Sequence, residues 1–366
     1  MQNMATKVSF ADDGAREWEQ VVSVRVQSEG AVRQFGVLAF PYSSGSEQIQ
    51  VGYVRVKKAN GPVIETPAAN VLDVAGQVAP EARFYSDVRQ KQVPVKGLAV
   101  GDVLEYSVRT VQRNPDIAGQ FWYTQYFAED GVVLNQSLEV RVPKERYVQF
   151  SHSTLKAETR EEGSQRIYTW KHAQLEPTKV GEKNKSAELQ EPLKVQLTSF
   201  RNWEDVGNWW AALAAPEAAV TPEIEQKAKE LTAGLSSDAE KEKAIYNYVG
   251  MKFRYISVSL GAGRYRPHSA AEVLANQYGD CKDKHTLFVA LLKAAGIQAW
   301  PALVGAGIEF DASMPSPEQF NHVITAIPEG GKYVWLDTTA EVAPFGFLSQ
   351  GIRDEQVLLM PTTGPG

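Results

Sequence analysis

Among 366 residues there is one cysteine, Cys281. A single cysteine excludes an internal disulfide and a cysteine-rich zinc site, which leaves it packing or chemistry as roles. Histidine is scarce too, with five in the chain. His152, His172, His268, His285 and His322 show no HExxH or other close metal-ligand spacing, so no metal site is expected. No run approaches the roughly 20 apolar residues needed to cross a bilayer, and the opening "MQNMATKVSF" lacks the apolar core of a signal peptide. Basic residues form no stripe and the net charge is −6, which argues against a nucleic-acid groove. Neither repeats nor low-complexity stretches occur. A chain of this length predicts two domains, each burying its own core.

The two halves have different periodicity. Toward the N-terminus, apolar and polar residues alternate with period two, the pattern of half-buried strands. Val22, Val24 and Val26 share one face, as do Ile49, Val51 and Tyr53, then Leu104, Tyr106 and Val108, then Leu138, Val140 and Val142. Turn chemistry at Ser28-Glu29-Gly30, Asn60-Gly61-Pro62 and Pro143 separates such runs. An antiparallel β-sandwich over residues 1–199 is therefore expected, with "KAETREEGSQR" and "KVGEKNKSAELQEP" as solvated loops beside the strand "RIYTWKH".

From residue 200 the texture becomes helical, and residues 200–366 form the second expected domain, of α+β class. Thr221-Pro222 is an N-cap followed by proline at the first helical position, and Ser237 to Glu240 and Ser269 to Glu272 are capping boxes. After Gly296 come strand-like runs "QAWPALVGA", "FNHVITAIP" and "KYVWLDTTA". The end "LLMPTTGPG", a strand-like run with a Pro/Gly stop, reads as a truncation before another domain.

Asp280 can cap a helix that begins at Cys281, with Asp283 in its first turn and Gly296 as its stop. Unpaired N–H groups and the macrodipole at this end favour thiolate, and Lys282 and Lys284 push the same way, against Asp283. The plain alternative is a small buried hydrophobe. A packing cysteine would fit better among Leu287, Leu291 and Ala294 than at this glycine-preceded mouth. A nucleophilic thiolate needs a base, and the base an orienting acceptor. His322 opens one strand and Asp337 ends the next, so antiparallel pairing would bring both to one sheet edge. Cys281, His322 and Asp337 are thus the candidate catalytic residues. His285, one turn after Cys281, is the rival base. His268 reads as structural, and His152 and His172 as surface or loop residues.

The segments "RYRPHSAAEVLANQYGDCKDKHTLFVALLKAAGIQAWPALV", "FNHVITAI" and "YVWLDTTA" resemble the bacterial transglutaminase-like superfamily, of papain-like architecture, over about residues 200–345. The β half is similar to the domain of unknown function that often precedes it. The resemblance implies acyl transfer: Cys281 attacks an amide to give a thioester, His322 is the base and Asp337 its orienter. It implies a protein or peptide amide as substrate, no cofactor, and export to the bacterial periplasm, the signal having been removed. Animal transglutaminases carry a tryptophan after the cysteine and another upstream near the oxyanion; here Lys282 follows, and Tyr255 and Tyr265 are the upstream candidates. Tyr255 also reads as a core aromatic in "FRYISV".

Three readings follow. The first is a cysteine acyltransferase, peptidase or amidase. The second is a catalytically silent module that binds a protein of the cell envelope. The third, acyl transfer from a thioester or small-molecule donor, needs a basic pocket near Arg264 and Arg266. Trp203, Trp209 and Trp210 read as packing between domains or as a peptide groove wall, and Gly261 and Gly263 as a flexible substrate loop.

Overall fold

The computed structural model describes residues 1–76, 87–129, 131–151, 154–176, 193–256 and 265–361. The chain divides into two compact units, Met1–Val78 with Asp87–Phe200, and Arg201–Gly366. His152, Gly261, Gly263, Arg264 and the run "KVGEKNKSAELQEP" lie outside the described residues.

The first unit opens with β1 (Asn3–Phe10), β2 (Arg16–Arg25), α1 (Glu29–Phe35), β3 (Val37–Ser43), β4 (Glu47–Lys57), β5 (Val63–Glu65), β6 (Leu72–Ala75) and β7 (Val88–Pro94). It continues with β8 (Val103–Gln112), β9 (Trp122–Tyr126), β10 (Val133–Pro143), β11 (Gln149–Phe150), β12 (Glu158–Glu162), β13 (Gln165–Gln174) and β14 (Lys194–Thr198). Eight of these strands form one sheet in the order β12, β13, β10, β1, β2, β8, β4, β5. Among the described residues the unit also has two three-stranded sheets, β11-β14-β9 and β3-β7-β6. Residues directly opposite in a ladder share a face, and the ladders join Val8 to Val140 and Trp18, and Val22 to Tyr106 and Val54. On that face Val8, Leu138, Val140 and Trp170 pack against Phe121, Val195 and Leu197 beside the first small sheet. Val54, Val56 and Leu104 pack against Leu38 and Val93 of the second. Each such buried side chain contributes about 1.5–3 kcal/mol.

Four details differ from the period-two reading. The sheet is not purely antiparallel, because β1 and β10 run parallel. A bulge at Gly52 shifts the β4 register, so Tyr53 pairs with Ser107 and leaves the face of Ile49 and Val51. A side chain at Gly52 would meet Ser107 Oγ at 3.2 Å. Ser28 caps the short helix α1 through its hydroxyl instead of making a turn. Residues 158–162, expected as loop, form the edge strand β12, whose side chains are all exposed and charged or polar. A fully polar edge strand carries no alternation to read, and charge on an edge blocks further pairing.

The second unit contains α2 (Trp203–Ala214), α3 (Pro222–Thr232), α4 (Asp238–Lys252), β15 (Arg254–Tyr255), α5 (Ala270–Asn276), β16 (Tyr278–Gly279) and α6 (Cys281–Ala294). Then come β17 (Trp300–Val304), β18 (His322–Glu329), β19 (Lys332–Leu336) and β20 (Val357–Leu359), ordered β19-β18-β17-β20 in an antiparallel sheet. Helix α6 packs against α3, α4, α5 and β18 and is buried from Lys282 to Phe288 without a break. A helix buried all round is the spine of its domain. Leu287, Leu291 and Leu292 join Ile245, Val249 and Leu336 in the main core. Gly296, at φ +82°, stops the helix.

Candidate active site

The position of Cys281 is set by the start of α6. Asp280 accepts hydrogen bonds from the N–H groups of Lys282 and Asp283, and Asp283 returns one from the Asp280 N–H at 3.2 Å, closing a capping box. Asp283 also accepts the His268 N–H at 2.8 Å and lies 3.2 Å from His268 Nδ1. Glycine is required before the box, since a Cβ on Gly279 would stand 2.5 Å from Asp283 Cβ. Cys281 remains partly exposed and leans on Trp210, Leu303, Val323 and Met360.

The β18–β19 ladder pairs Thr325 with Leu336, which brings the start of β18 and the end of β19 to one edge. His322 Nε2 lies 3.1 Å from Asp337 Oδ2 at that edge. The His322 side chain also interacts with Cys281, across the site from Asp337. Thr339 fixes the other carboxylate oxygen, its N–H at 2.9 Å and its hydroxyl at 2.7 Å from Asp337 Oδ1. The hydroxyl of Tyr246 donates to the Asp337 carbonyl at 3.0 Å. Neither Thr339 nor Tyr246 was singled out from sequence; the Asp-Thr-Thr run is a side-chain turn signal that could have revealed Thr339.

Burial alone would lower the His322 pKa, but hydrogen bonds and charge from Asp337 and Cys281 outweigh it and lift the imidazole to about 10. Burial pushes Asp337 up, yet its bonds to His322 and Thr339 hold it below the usual carboxylate value. Tyr255 is driven upward by burial of its phenol, then by the charges of Cys281, Asp280 and Asp337. Its strand β15 pairs in parallel with β16, Tyr255 opposite Gly279, two residues before the cysteine. At 43% exposure Tyr255 is no core residue. Tyr265 instead stands edge-on to Trp209 at 5.1 Å.

The remaining candidates separate cleanly. His285 is buried, its Nδ1 is 2.7 Å from Thr325 Oγ1, and burial drops its pKa to about 3, so it stays a neutral packing group. His172 Nε2 meets the Ala128 carbonyl in the first unit. The two lysines expected to favour thiolate point elsewhere: Lys282 pairs with Asp280, and Lys284 donates to the carbonyls of Gly250 and Phe253. Arg266 is engaged by Glu217 at 2.6 Å. Trp210 packs against Leu303, Val323 and Met360 of its own unit, and Trp203 lies tilted over Phe310 and edge-on to Phe320. A cavity of about 1080 Å³ lined by Trp210, His285, Thr286, Val289 and Met360 does not include Cys281. Among the described residues, no group of three or more His, Cys, Asp or Glu could hold a metal ion.

A cysteine opening a buried helix, facing a histidine and an aspartate from adjacent strands, defines the fold class of papain-like cysteine enzymes. Residues 225–325 match the family model of the transglutaminase-like superfamily, a span that includes Cys281 and His322 and stops before Asp337. Residues 12–179 match the model of a domain of unknown function with solved structure, DUF3857. The chain therefore carries a transglutaminase-like domain preceded by a DUF3857 domain. The crystal structure of a candidate protease from Parabacteroides distasonis is similar at a TM-score of 0.76 and 16% identity, over 94% of this chain and 67% of that one. At that identity the likeness establishes fold alone. A candidate cysteine protease from Cytophaga hutchinsonii (16% identity, 60% and 71% covered) and the periplasmic domain of TgpA from Pseudomonas aeruginosa (13%, 88% and 94%) reach TM-scores of only 0.28 and 0.26 and carry no argument. None of the curated proteins compared with the chain matches it.

Proposed function

We propose that the C-terminal unit is a cysteine enzyme that breaks protein or peptide amides through a thioester on Cys281. The observation that carries this reading is His322, which bonds Asp337 at 3.1 Å and interacts with Cys281 at the start of α6. An imidazole lifted to about 10 is protonated at neutral pH, so it holds the proton that a departing amine needs. The thiolate attacks the amide carbon and forms the C–S bond. His322 then gives its proton to the departing amine as the C–N bond breaks. Water, deprotonated by His322, releases the acid, or an amine releases a new amide. Asp337 keeps the imidazole oriented throughout.

The oxyanion needs donors. The Cys281 N–H, first in its helix, has no intrahelical partner. Tyr255, kept in its protonated form, supplies a second O–H beside the sulfur. Losing one such donor typically costs about 2.7–4 kcal/mol of transition-state stabilisation. An exported, periplasmic site of action is proposed on the family resemblance alone, and fractionation of cells making the protein with an export signal tests it.

The deciding experiment is the pH dependence of Cys281 alkylation by iodoacetamide in wild type and His322→Ala, followed by a peptide-amide screen with and without added amine. Alkylation that persists at acidic pH in wild type and is lost in His322→Ala supports the enzyme. Equal profiles in the two proteins would leave a binding module. In the screen, product retaining the added amine marks transfer, and free acid marks hydrolysis.

A further inference from the structure

Lys284 exposes none of its surface, which makes it the most deeply buried charged residue described in the chain. Taking an ammonium out of water is costly, and a Leu or Met would fill the space more favourably unless the amine has work that needs hydrogen bonds. Burial pushes Lys284 down to about 8, with Glu341 and Asp337 partly opposing the shift. The amine donates to the carbonyls of Gly250 at 3.2 Å and Phe253 at 2.8 Å. Gly250 is in the last turn of α4 and Phe253 is its C-cap, where carbonyls lack helical partners and the dipole is negative. Lys284 therefore caps one helix from the first turn of another, three residues after the nucleophile.

The capped turn leads directly into β15. Phe253 is two residues before Tyr255, and the backbone on either side of Tyr255 is tied to β16: Arg254 N–H donates to Gln277 and Ile256 N–H to Gly279. The Tyr255 N–H donates to Glu341 Oε1 at 3.1 Å. The ladder sets Tyr255 opposite Gly279, two residues before Cys281, whose charge acts on the phenol. The charged groups acting on the lysine are Glu341 and Asp337, both from the segment after β19.

We propose that Lys284 is a positioning residue: by fixing the end of α4 it holds the Tyr255 hydroxyl against the Cys281 sulfur. The inference rests on the catalytic reading above and adds a residue that touches neither substrate nor sulfur. Its signature is dependence on Tyr255, because a lysine that serves only the fold would act whether or not the phenol is there.

The test is a double-mutant cycle on the full chain with iodoacetamide as the probe, using Tyr255→Phe, Lys284→Met, their combination and Lys284→Gln, each checked for folding by circular dichroism. Tyr255→Phe and Lys284→Met should each slow Cys281 alkylation at pH 6.5 by about five- to tenfold, the effect of one lost hydrogen bond, and move the pH profile upward. The double variant should be no slower than the slower single one. Lys284→Gln, which keeps one amide donor, should fall between Lys284→Met and wild type. A folded Lys284→Met that alkylates like wild type, effects that multiply in the double variant, or unfolding of both Lys284 variants each overturns the proposal. His322→Ala, run alongside, separates the two ideas: if it alkylates like wild type the catalytic reading fails, whereas if it is slow and Lys284→Met is not, only the role of Lys284 fails.

Discussion

In the N-terminal unit, charged side chains meet across the surface of the sheet, Arg109 with Glu17 and Arg55 with Lys57 around Glu105. In the C-terminal unit, Asp280, Lys282, Asp283, Lys284 and His285 lie within the first two turns of one helix, none exposing more than 6%. Surface pairs keep their water and are worth little, whereas buried charge must be bonded group by group or it destabilises the fold. The buried carboxylate Asp102 of the first unit follows that rule locally: Lys58 and the N–H groups of Ala59 and Ala99 satisfy it, and it holds a turn. Around Cys281 the buried groups bond to one another, to His268, to the end of α4 and to Thr325 of β18. Polar burial on that scale is where chemistry is expected, because a nucleophile and its base need a fixed geometry more than they need stability.

The comparison breaks most visibly at Asp337. If the buried cluster serves catalysis, Asp337→Asn should lower kcat on the best peptide amide by about 10²–10⁴-fold, since the imidazole loses its orienting charge. Thr339 can still bond the amide oxygen, so circular dichroism should show a folded protein. A folded variant with unchanged kcat would return Asp337 to a structural role.

A smaller effect separates His285 from His322 by pH. Burial lowers His285 to about 3 from an ordinary 6.5, so the unfolded chain takes up the proton first. Its contribution is intact above about pH 6.5 and is lost as pH falls toward 3, about 5 kcal/mol in all. His322 is raised to about 10, so its contribution is present below 6.5 and is lost as pH rises toward 10. Urea melts of His285→Gln against wild type should show a stability gap that closes between pH 6.5 and 4. A gap independent of pH would mean that His285 takes a proton in the folded state.

Smaller again is Gly279→Ala. The new Cβ, 2.5 Å from Asp283 Cβ, must displace the capping box, at a cost of about 1–3 kcal/mol by overpacking. The shift in urea midpoint should come with slower Cys281 alkylation, because the same box places the sulfur. A change in stability without a change in alkylation would uncouple the two.

How much of this was legible depended on whether the signal was local. Asp280 as cap, the stop at Gly296, both serine capping boxes and the strand faces around Val22, Leu104 and Leu138 are written in neighbouring residues, and the structure carries them. The meeting of His322 and Asp337 was also accessible, since two adjacent strand-like runs with residues at matching ends have few ways to pair. What sequence could not give was the direction of long side chains. Lys282 and Lys284 read as cations near a thiolate, but one turns to Asp280 and the other into the end of α4, contacts made across 31 and 34 residues in the latter case. The parallel β1–β10 pair spans over a hundred residues and leaves no mark in either strand's alternation.

The smallest effect belongs to the N-terminal unit and is needed to make the contrast quantitative. Arg109 Nε and Nη2 lie 2.6 and 2.7 Å from the two Glu17 oxygens, a bidentate pair with side chains 48% and 41% exposed. Its geometry is as good as any around Cys281. If exposure, and not geometry, decides what an ion pair is worth, a double-mutant cycle with Arg109→Ala and Glu17→Ala should give a coupling below about 1 kcal/mol in urea melts, shrinking further in high salt. A coupling of several kcal/mol that ignored salt would show that this sheet draws real stability from its surface charge. The buried cluster in α6 would then lose its claim to be the chain's exceptional investment in electrostatics.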